Sequence, residues 1–225
     1  MAHFTSDFIH FFEELSGNNS KEWFDQNRKR YEKEVKEPLK ALVASLIDHM
    51  NEEGAGLALE PKDCILRINR DIRFSKDKTP YNTHVTAFLS KGGRKDKSNP
   101  GFGIRLAAEG VWIMIGSYAP DKEQLLSIRR YIAGDPQNFH DILKETAFFD
   151  FYGQVRGEQH KRIPPEFREA VTTAPEIANK QFYFMAQLPA ALIPDDKLIE
   201  ELMQAWRLSL PFNQWLSEAL NPAQL

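Results

Sequence analysis

The sequence predicts an α+β fold: a mostly antiparallel sheet of about five to six strands, flanked by N-terminal and C-terminal helices, in a single domain over residues 1–225. Three observations carry that expectation. Apolar residues through the first fifty positions recur at steps of three and four, the period of an amphipathic helix. From residue 64 to residue 118 the pattern changes to alternation in short successive runs, the period of half-buried strands. These runs follow one another with no intervening helix, and strands connected so closely pair antiparallel.

In chain order, residues 5–15 predict a short helix capped by Thr5 or Ser6, with Phe8, Phe11, Phe12 and Leu15 on its apolar face and Gly17-Asn18-Asn19 ending it. Ser20 reads as the cap of a second helix, Lys21 to about Glu37, on which Trp23, Phe24, Asn27, Tyr31 and Val35 recur at helical steps. Pro38 marks a kink or a new first turn. Leu39, Leu42, Val43, Leu46, Ile47 and Met50 then carry a third helix down to Gly54 and Gly56. Residues 64–74 alternate as a first strand and 81–90 as a second. Residues 102–108 and 111–118 form a hairpin around Glu109-Gly110. Helices near 121–133 and 136–146 begin at Asp121 and Asp135, both good caps. Residues 151–157 and 181–188 supply the remaining strands. Between them lies a basic, proline-bearing loop, 161–168, leading into a short helical turn. Helices 195–208 and 212–220, on either side of Pro211, close the chain.

Composition narrows the function classes. The chain has 225 residues, 42% hydrophobic and 27% charged, ordinary for a globule that buries a sizeable core. A net charge of −3 argues against a general nucleic-acid coat. The charge is unevenly spread, however. From Lys62 to Lys97 there are ten Lys or Arg against four Asp, so the rest of the chain is acidic by about nine. Such asymmetry points to an anionic partner. The single cysteine, Cys64, allows neither an intramolecular disulfide nor a cysteine-based zinc site; on the apolar side of its strand it reads as a small buried hydrophobe. Residues 1–15 include Asp7, Glu13 and Glu14 and lack a basic start, so no signal peptide is expected. No run approaches the roughly 18 apolar residues of a membrane span. The expected location is the cytoplasm, with no membrane partner.

The densest chemistry lies between Arg67 and Tyr81, where five basic and two acidic residues occupy fifteen positions. Read as a strand, 64–74 places Cys64, Leu66, Ile68, Ile72 and Phe74 on one side, with Arg70 among them. Arg67, Asn69, Asp71 and Arg73 fall on the other, with same-face neighbours roughly 6.5 to 7 Å apart. Arg70, pointing inward, requires a partner, because an unpaired buried charge is very costly. Ser75 to Pro80 reads as a polar loop. One reading is an anion site: Arg forks suit phosphate or carboxylate, Lys76 and Lys78 add charge from the loop, and Tyr81 orients ligand or water. The other is a structural lattice in which Asp71 and Asp77 neutralise the arginines.

This run resembles, position for position, the signature of a widespread bacterial family, the domain of unknown function 2461: Arg, two residues, Arg-Asp, one residue, Arg-Phe, then Asp-Lys and Tyr. Arg67, Arg70, Asp71, Arg73, Phe74, Asp77, Lys78 and Tyr81 fill it. Asn18 to Phe24, followed by Asn27, Arg28 and Tyr31, is similar to the family's opening helix, and the likeness extends over nearly the whole chain. One departure is Glu166, where the family pattern places a Gly before the aromatic Phe167. The resemblance implies no activity, since the family has none assigned.

Other sites are missing from the pattern. There is no phosphate loop, no dinucleotide fingerprint and no nucleophile elbow. None of the six histidines pairs with another at i, i+4. His84 is the one near the signature, where a surface or hydrogen-bonded core role is favoured over an acid–base partnership with Asp71. A cation at Asp71 and Asp77 would be opposed by the surrounding arginines, so no metal is expected, and no cofactor is implied. The candidate ligand is a phosphate-bearing or otherwise anionic small molecule, held by Arg67, Arg73, Lys76 and Lys78 with Asn27, Arg28 and Tyr81 in support. Arg70 and Asp77 are assigned a structural role, and Asp71 is the base if chemistry occurs. The rival is a non-enzymatic interaction protein, its signature an ion lattice and its basic loop, Lys91 to Lys97, docked on RNA or an acidic partner. Nucleic acid is the less favoured ligand. Residue types alone leave catalysis and oligomeric state open.

Overall fold

The structure, a computed structural model, describes residues 2–95 and 99–221. It is α+β, built on a four-stranded antiparallel sheet in the order β1 (His84–Leu89), β2 (Gly101–Ala107), β3 (Gly110–Ser117) and β4 (Phe182–Leu188). Four strands, rather than five to six, is the first correction to the sequence reading. The chain forms two compact units.

The first unit holds Met1–Arg94, Gly103–Ile113 and Gln187–Gln204. Its helices are α1 (Asp7–Gly17), α2 (Lys21–Gln26), α3 (Arg28–Tyr31), α4 (Glu37–Glu52) and the single turn α5 (Pro61–Cys64). Phe8, Phe11, Phe12 and Leu15 of α1 are buried, as the period requires, and so are Leu39, Leu42, Val43, Leu46, Ile47 and Met50 of α4. Ser20 caps α2, its hydroxyl accepting from the Trp23 N–H at 3.2 Å. Pro38 does not break the path. The turn ahead of α4, Glu32–Lys36, widens to i→i+5 spacing, which accommodates a proline ring that would clash with the carbonyl four residues back.

The sequence reading of 64–74 as a strand is corrected. Pro61 opens a helical turn closed by the Ile65 N–H on the Pro61 carbonyl at 3.0 Å, so Cys64 ends a helix. Beyond it Ile65 and Asn69 form single antiparallel bridges to Ala87 and Tyr81. Leu66 N–H donates to Thr86, Asn82 N–H to Ile68 and Arg70 N–H to Pro80. Pro80 has no N–H to return, so a regular ladder stops there. Leu66 and Phe74, predicted to face inward, are exposed, Phe74 at 95%.

The second unit holds Lys95–Phe102, Met114–Ala186 and Ala205–Leu225. It contains α6 (Lys122–Gly134), α7 (Pro136–Lys144), α8 (Thr146–Tyr152) and the short α9 (Ala170–Thr173). Asp121 accepts from the Glu123 and Gln124 N–H groups and Asp135 from that of Asn138, so both predicted caps hold. The run 151–157, read as a strand, begins inside α8, where Phe148 and Tyr152, four apart, share a buried face. Only Arg156 of that run bridges to β4, through Tyr183. The two predicted C-terminal helices are one, α10 (Leu198–Leu220), which runs through Pro211. Packing outweighs the lost backbone bond: Phe212, Trp215, Leu216 and Ala219 beyond the proline are all buried. Arg129 on α6 is 5% exposed and meets no carboxylate among the described residues; its Nε donates to the Ile177 carbonyl at 2.8 Å and its Nη2 to that of Asn179 at 3.2 Å.

Candidate functional site

The signature segment rests on an aromatic cluster. Phe11, Trp23, Phe24 and Tyr31 meet at ring-centroid distances of 5.1 to 6.3 Å. Tyr81 stacks on Phe24 at 4.0 Å and 14°. Asn19 fixes the backbone at that point, its side-chain amide donating to the Tyr81 carbonyl at 2.9 Å and accepting from the Tyr81 N–H at 3.1 Å. One asparagine thus gives an irregular segment the two bonds a neighbouring strand would supply.

From that anchor the chain runs through a loop held by two carboxylates. Asp77 accepts from the Thr79 N–H at 2.9 Å and from Arg70 Nη1 at 2.5 Å. Arg70 also donates to the carbonyl and the hydroxyl of Thr79. These partners, the Thr79 amide first, hold the Asp77 carboxyl down at about 2. The second pair is bidentate: Asp71 accepts from Arg73 Nε at 2.9 Å and Nη2 at 2.7 Å. That fork, together with the nearby Arg67 charge, keeps the Asp71 carboxyl below the usual carboxylate range. A carboxylate so stabilised is a weak base at neutral pH.

Arg67 is different. Among the described residues no hydrogen bond or ion pair engages its guanidinium, and the residue is exposed. It lines two depressions. The larger, about 510 Å³, is bounded by Leu66, Arg67, Asn69, Arg70, Asp71, Asn82 and Arg94. The smaller, about 250 Å³, includes Arg67 and Asn69 again with Phe24, Arg28, Tyr31 and Tyr81. In the larger cleft Asp71 is matched by Arg73 and Arg70 by Asp77, which leaves Arg67 and Arg94 without counter-charges among the described residues. Asn69 and Asn82 add amide groups. In the smaller one the cations other than Arg67 are already matched, Arg28 by Asp25 at 2.5 Å and Lys36 by Glu32 at 2.6 Å. Burial pushes the Tyr31 hydroxyl up to about 12 and raises that of Tyr81, so both remain neutral donors at pH 7.

The structure divides the residues that sequence reasoning grouped. It brings Arg67 and Asp71 together in the larger cleft, and Arg67, Arg28 and Tyr81 in the smaller. Asn27, Arg73, Lys76 and Lys78 line neither. The Asn27 amide donates to the Trp23 carbonyl on its own helix, and Lys78 to the Ile72 carbonyl. Arg73 lies at the loop tip, its side chain 76% exposed and its guanidinium 5.8 Å from the Phe74 ring. Arg94 and Asn82 are lining residues that the sequence did not single out, and Asn69, placed beside Arg67 on one face, was not counted among the candidate ligands. Arg94 was legible only as part of the excess charge of its loop. Of the predicted basic loop, 91–97, residues 96 and 97 lie outside the described residues. Cys64 is fully buried, and burial raises its thiol to about 11. Among the described residues no cluster of three or more His, Cys, Asp or Glu is placed to hold a metal, and no helix is long and apolar enough to cross a membrane.

A family model described as "Conserved hypothetical protein (DUF2461)" matches residues 7–215. No curated protein and no solved structure matches the chain.

Proposed function

From a chain that belongs to the DUF2461 family of conserved hypothetical proteins, we propose a binding protein for a phosphate-bearing or otherwise anionic small molecule, with Arg67 as the principal ligand. The supporting observation is the contrast among three arginines of one loop. Arg70 and Arg73 each meet a carboxylate, whereas Arg67 meets none among the described residues and lines a cleft of about 510 Å³ with Arg94, Asn69 and Asn82. An anion there would accept a bidentate fork from Arg67 and further donors from Arg94 and the two amides. Asp71 and Asp77 fix the loop that presents the site. Binding is favoured over catalysis because Asp71, the carboxylate lining the cleft among the described residues, is held ionised by Arg73 and is a poor proton acceptor.

The test is thermal melting of the full chain against inorganic phosphate, carboxylates and nucleotides at fixed ionic strength. A ligand that binds only the native state adds about 2.7 kcal/mol at a hundredfold excess over Kd. We expect a selective rise that is lost in Arg67→Ala. A flat panel, or a rise unchanged in that variant, overturns the proposal.

A second reading, an interaction surface, draws support from Phe74, 95% exposed at the loop tip beneath the Arg73 guanidinium. It is favoured if the panel is flat and Phe74→Ser, rather than Arg67→Ala, abolishes RNA or acidic-protein binding.

A further inference from the structure

The second unit contains a cavity of about 380 Å³ that shares no residue with the cleft around Arg67. Local structure builds it. Helix α7 carries Leu143 one turn after His140, and α8 ends at Gly153, whose φ of 69° turns the chain. The segment that follows then runs beside residues 178–180. Gln159 bridges to Asn179, the His160 N–H donates to the Ala178 carbonyl at 2.8 Å and the Lys180 N–H to that of Glu158 at 2.7 Å. Part of the lining is apolar: Leu143, Val155 and the ring of Phe149, which is 45% exposed. The rest is polar: the amides of Gln154, Gln159 and Asn179, and the pair in which the His140 Nε2–H donates to Glu176 Oε2 at 3.3 Å.

Asn179 is the incomplete group of this lining. It is only 4% exposed, and most of its hydrogen-bonding capacity is spent. Its N–H donates to the Glu176 carbonyl at 2.8 Å, its carbonyl accepts from Arg129 Nη2 at 3.2 Å, and its Oδ1 accepts from Gln159 Nε2 at 3.2 Å. Its Nδ2 donates to no acceptor among the described residues. The partnerless side-chain atoms that are sealed from solvent lie elsewhere, on His3, Arg105 and Asn213, so the Asn179 amide keeps its opening onto the cavity. A buried amide left half-satisfied is costly, and an atom entering from outside completes it. Water alone would meet the amide but would leave the Phe149 ring uncovered. The charged side chains of the lining, Lys144 and Glu176, offset one another, so the cavity offers an anion none of the attraction that Arg67 and Arg94 offer in their cleft.

We propose that this cavity is a second binding site, for an uncharged planar nitrogen heterocycle of the purine type. Such a ring has apolar faces and an edge with a donor beside an acceptor. Phe149 stacks on the face. Asn179 donates from Nδ2 to a ring nitrogen, and the amide oxygen of Gln154 or Gln159 accepts from the exocyclic amine, the pattern by which asparagine and glutamine side chains read adenine. The site uses none of the residues around Arg67, so each site can fail without the other.

The experiment is a proton–nitrogen NMR titration of the full chain with adenine and adenosine, and with indole as a fused ring that lacks the donor–acceptor edge. We expect saturable shifts of the Asn179 side-chain amide with adenine or adenosine. Binding of adenine alone assigns the free base, and binding of both assigns the base of a nucleoside. Phe149→Ala, a truncation at an exposed position, should weaken the affinity about tenfold through the lost stacking, Asn179→Ala should abolish it, and Arg67→Ala should leave it unchanged. No shift with either probe, or indole binding as tightly as adenine, overturns the site. So does a loss in Arg67→Ala equal to that in Phe149→Ala, which would place the probe in the other cleft. If Asn179→Ala does not fold, Phe149→Ala decides alone: undiminished affinity there overturns the proposal.

Discussion

Truncating Arg70 to Ala separates the structural arginines of the signature from the exposed one. The Arg70 side chain is 25% exposed and reaches three acceptors: Asp77, the Thr79 carbonyl and the Thr79 hydroxyl. Hydrogen bonds to a charged group contribute about 1.5–3 kcal/mol each when well buried. Here Asp77 is 58% exposed, and water replaces part of what is lost, so the three together are worth about 2–3 kcal/mol. Arg73→Ala removes a bidentate pair whose members are 76% and 42% exposed, a class of pair worth about 0–1 kcal/mol. Arg67→Ala removes no hydrogen bond or ion pair among the described residues and should fall within about 0.5 kcal/mol of wild type. Urea unfolding measures all three. At a slope near 2–3 kcal/mol/M, Arg70→Ala should lower the midpoint by about 1 M with the slope unchanged, and the other two variants should barely move it. An Arg70→Ala midpoint equal to wild type would refute the assignment of the loop's stability to that fork. An Arg67→Ala variant destabilised by more than about 1 kcal/mol would make Arg67 structural and remove the basis of the anion site.

Three further outcomes are expected. Asn19→Ala strands both polar groups of the Tyr81 backbone and should cost about 2–3 kcal/mol in the same assay, while leaving helix content by circular dichroism intact. Burial, and after it the Arg105 charge, pushes His84 down to about 4 in the folded chain against 6.5 unfolded. The unfolded state therefore binds the extra proton between those values, and stability present above pH 6.5 falls on acidification to pH 4. After discounting for its partial exposure, the loss is about 1–2 kcal/mol, and equilibrium unfolding across that range should show it diminished in Arg105→Gln. Cys64, fully buried with its thiol raised to about 11, should not react with an aromatic disulfide reagent until the chain unfolds; rapid labelling of the native protein would contradict its burial.

Much of the fold is legible in the sequence because it rests on local period and end signals. The buried stripes of α1 and α4, the caps at Ser20, Asp121 and Asp135, and the β2–β3 hairpin all depend on residues within a few positions of one another. Errors fell where a distant partner overrode the local pattern. Alternation through 64–74 is real in the sequence, yet Pro61 starts a helical turn ahead of it and Pro80 denies it a continuous ladder. The run 151–157 reads as a strand, yet its first two residues end a helix that buries Phe148 and Tyr152 on one face. Pro211 reads as a break, and only the burial of Phe212 and Trp215 beyond it carries α10 through.

For the site, the sequence by itself determined which chemistry is present: a cluster of arginines with too few carboxylates to neutralise them, beside a lone cysteine placed for burial. Charge counts and spacing establish that much because they are properties of the chain. They do not establish which arginine meets which carboxylate. Asp71 could serve Arg67 or Arg73, and Asp77 could serve Arg70 or either lysine beside it. Closure of the loop by the Thr79 amide and the anchoring of Tyr81 by Asn19, sixty-two residues earlier, assigned those partners. They left Arg67 facing the cleft and brought Arg94 to its wall. Pairing depends on distances of a few ångströms between residues far apart in the chain, and only tertiary packing sets those distances.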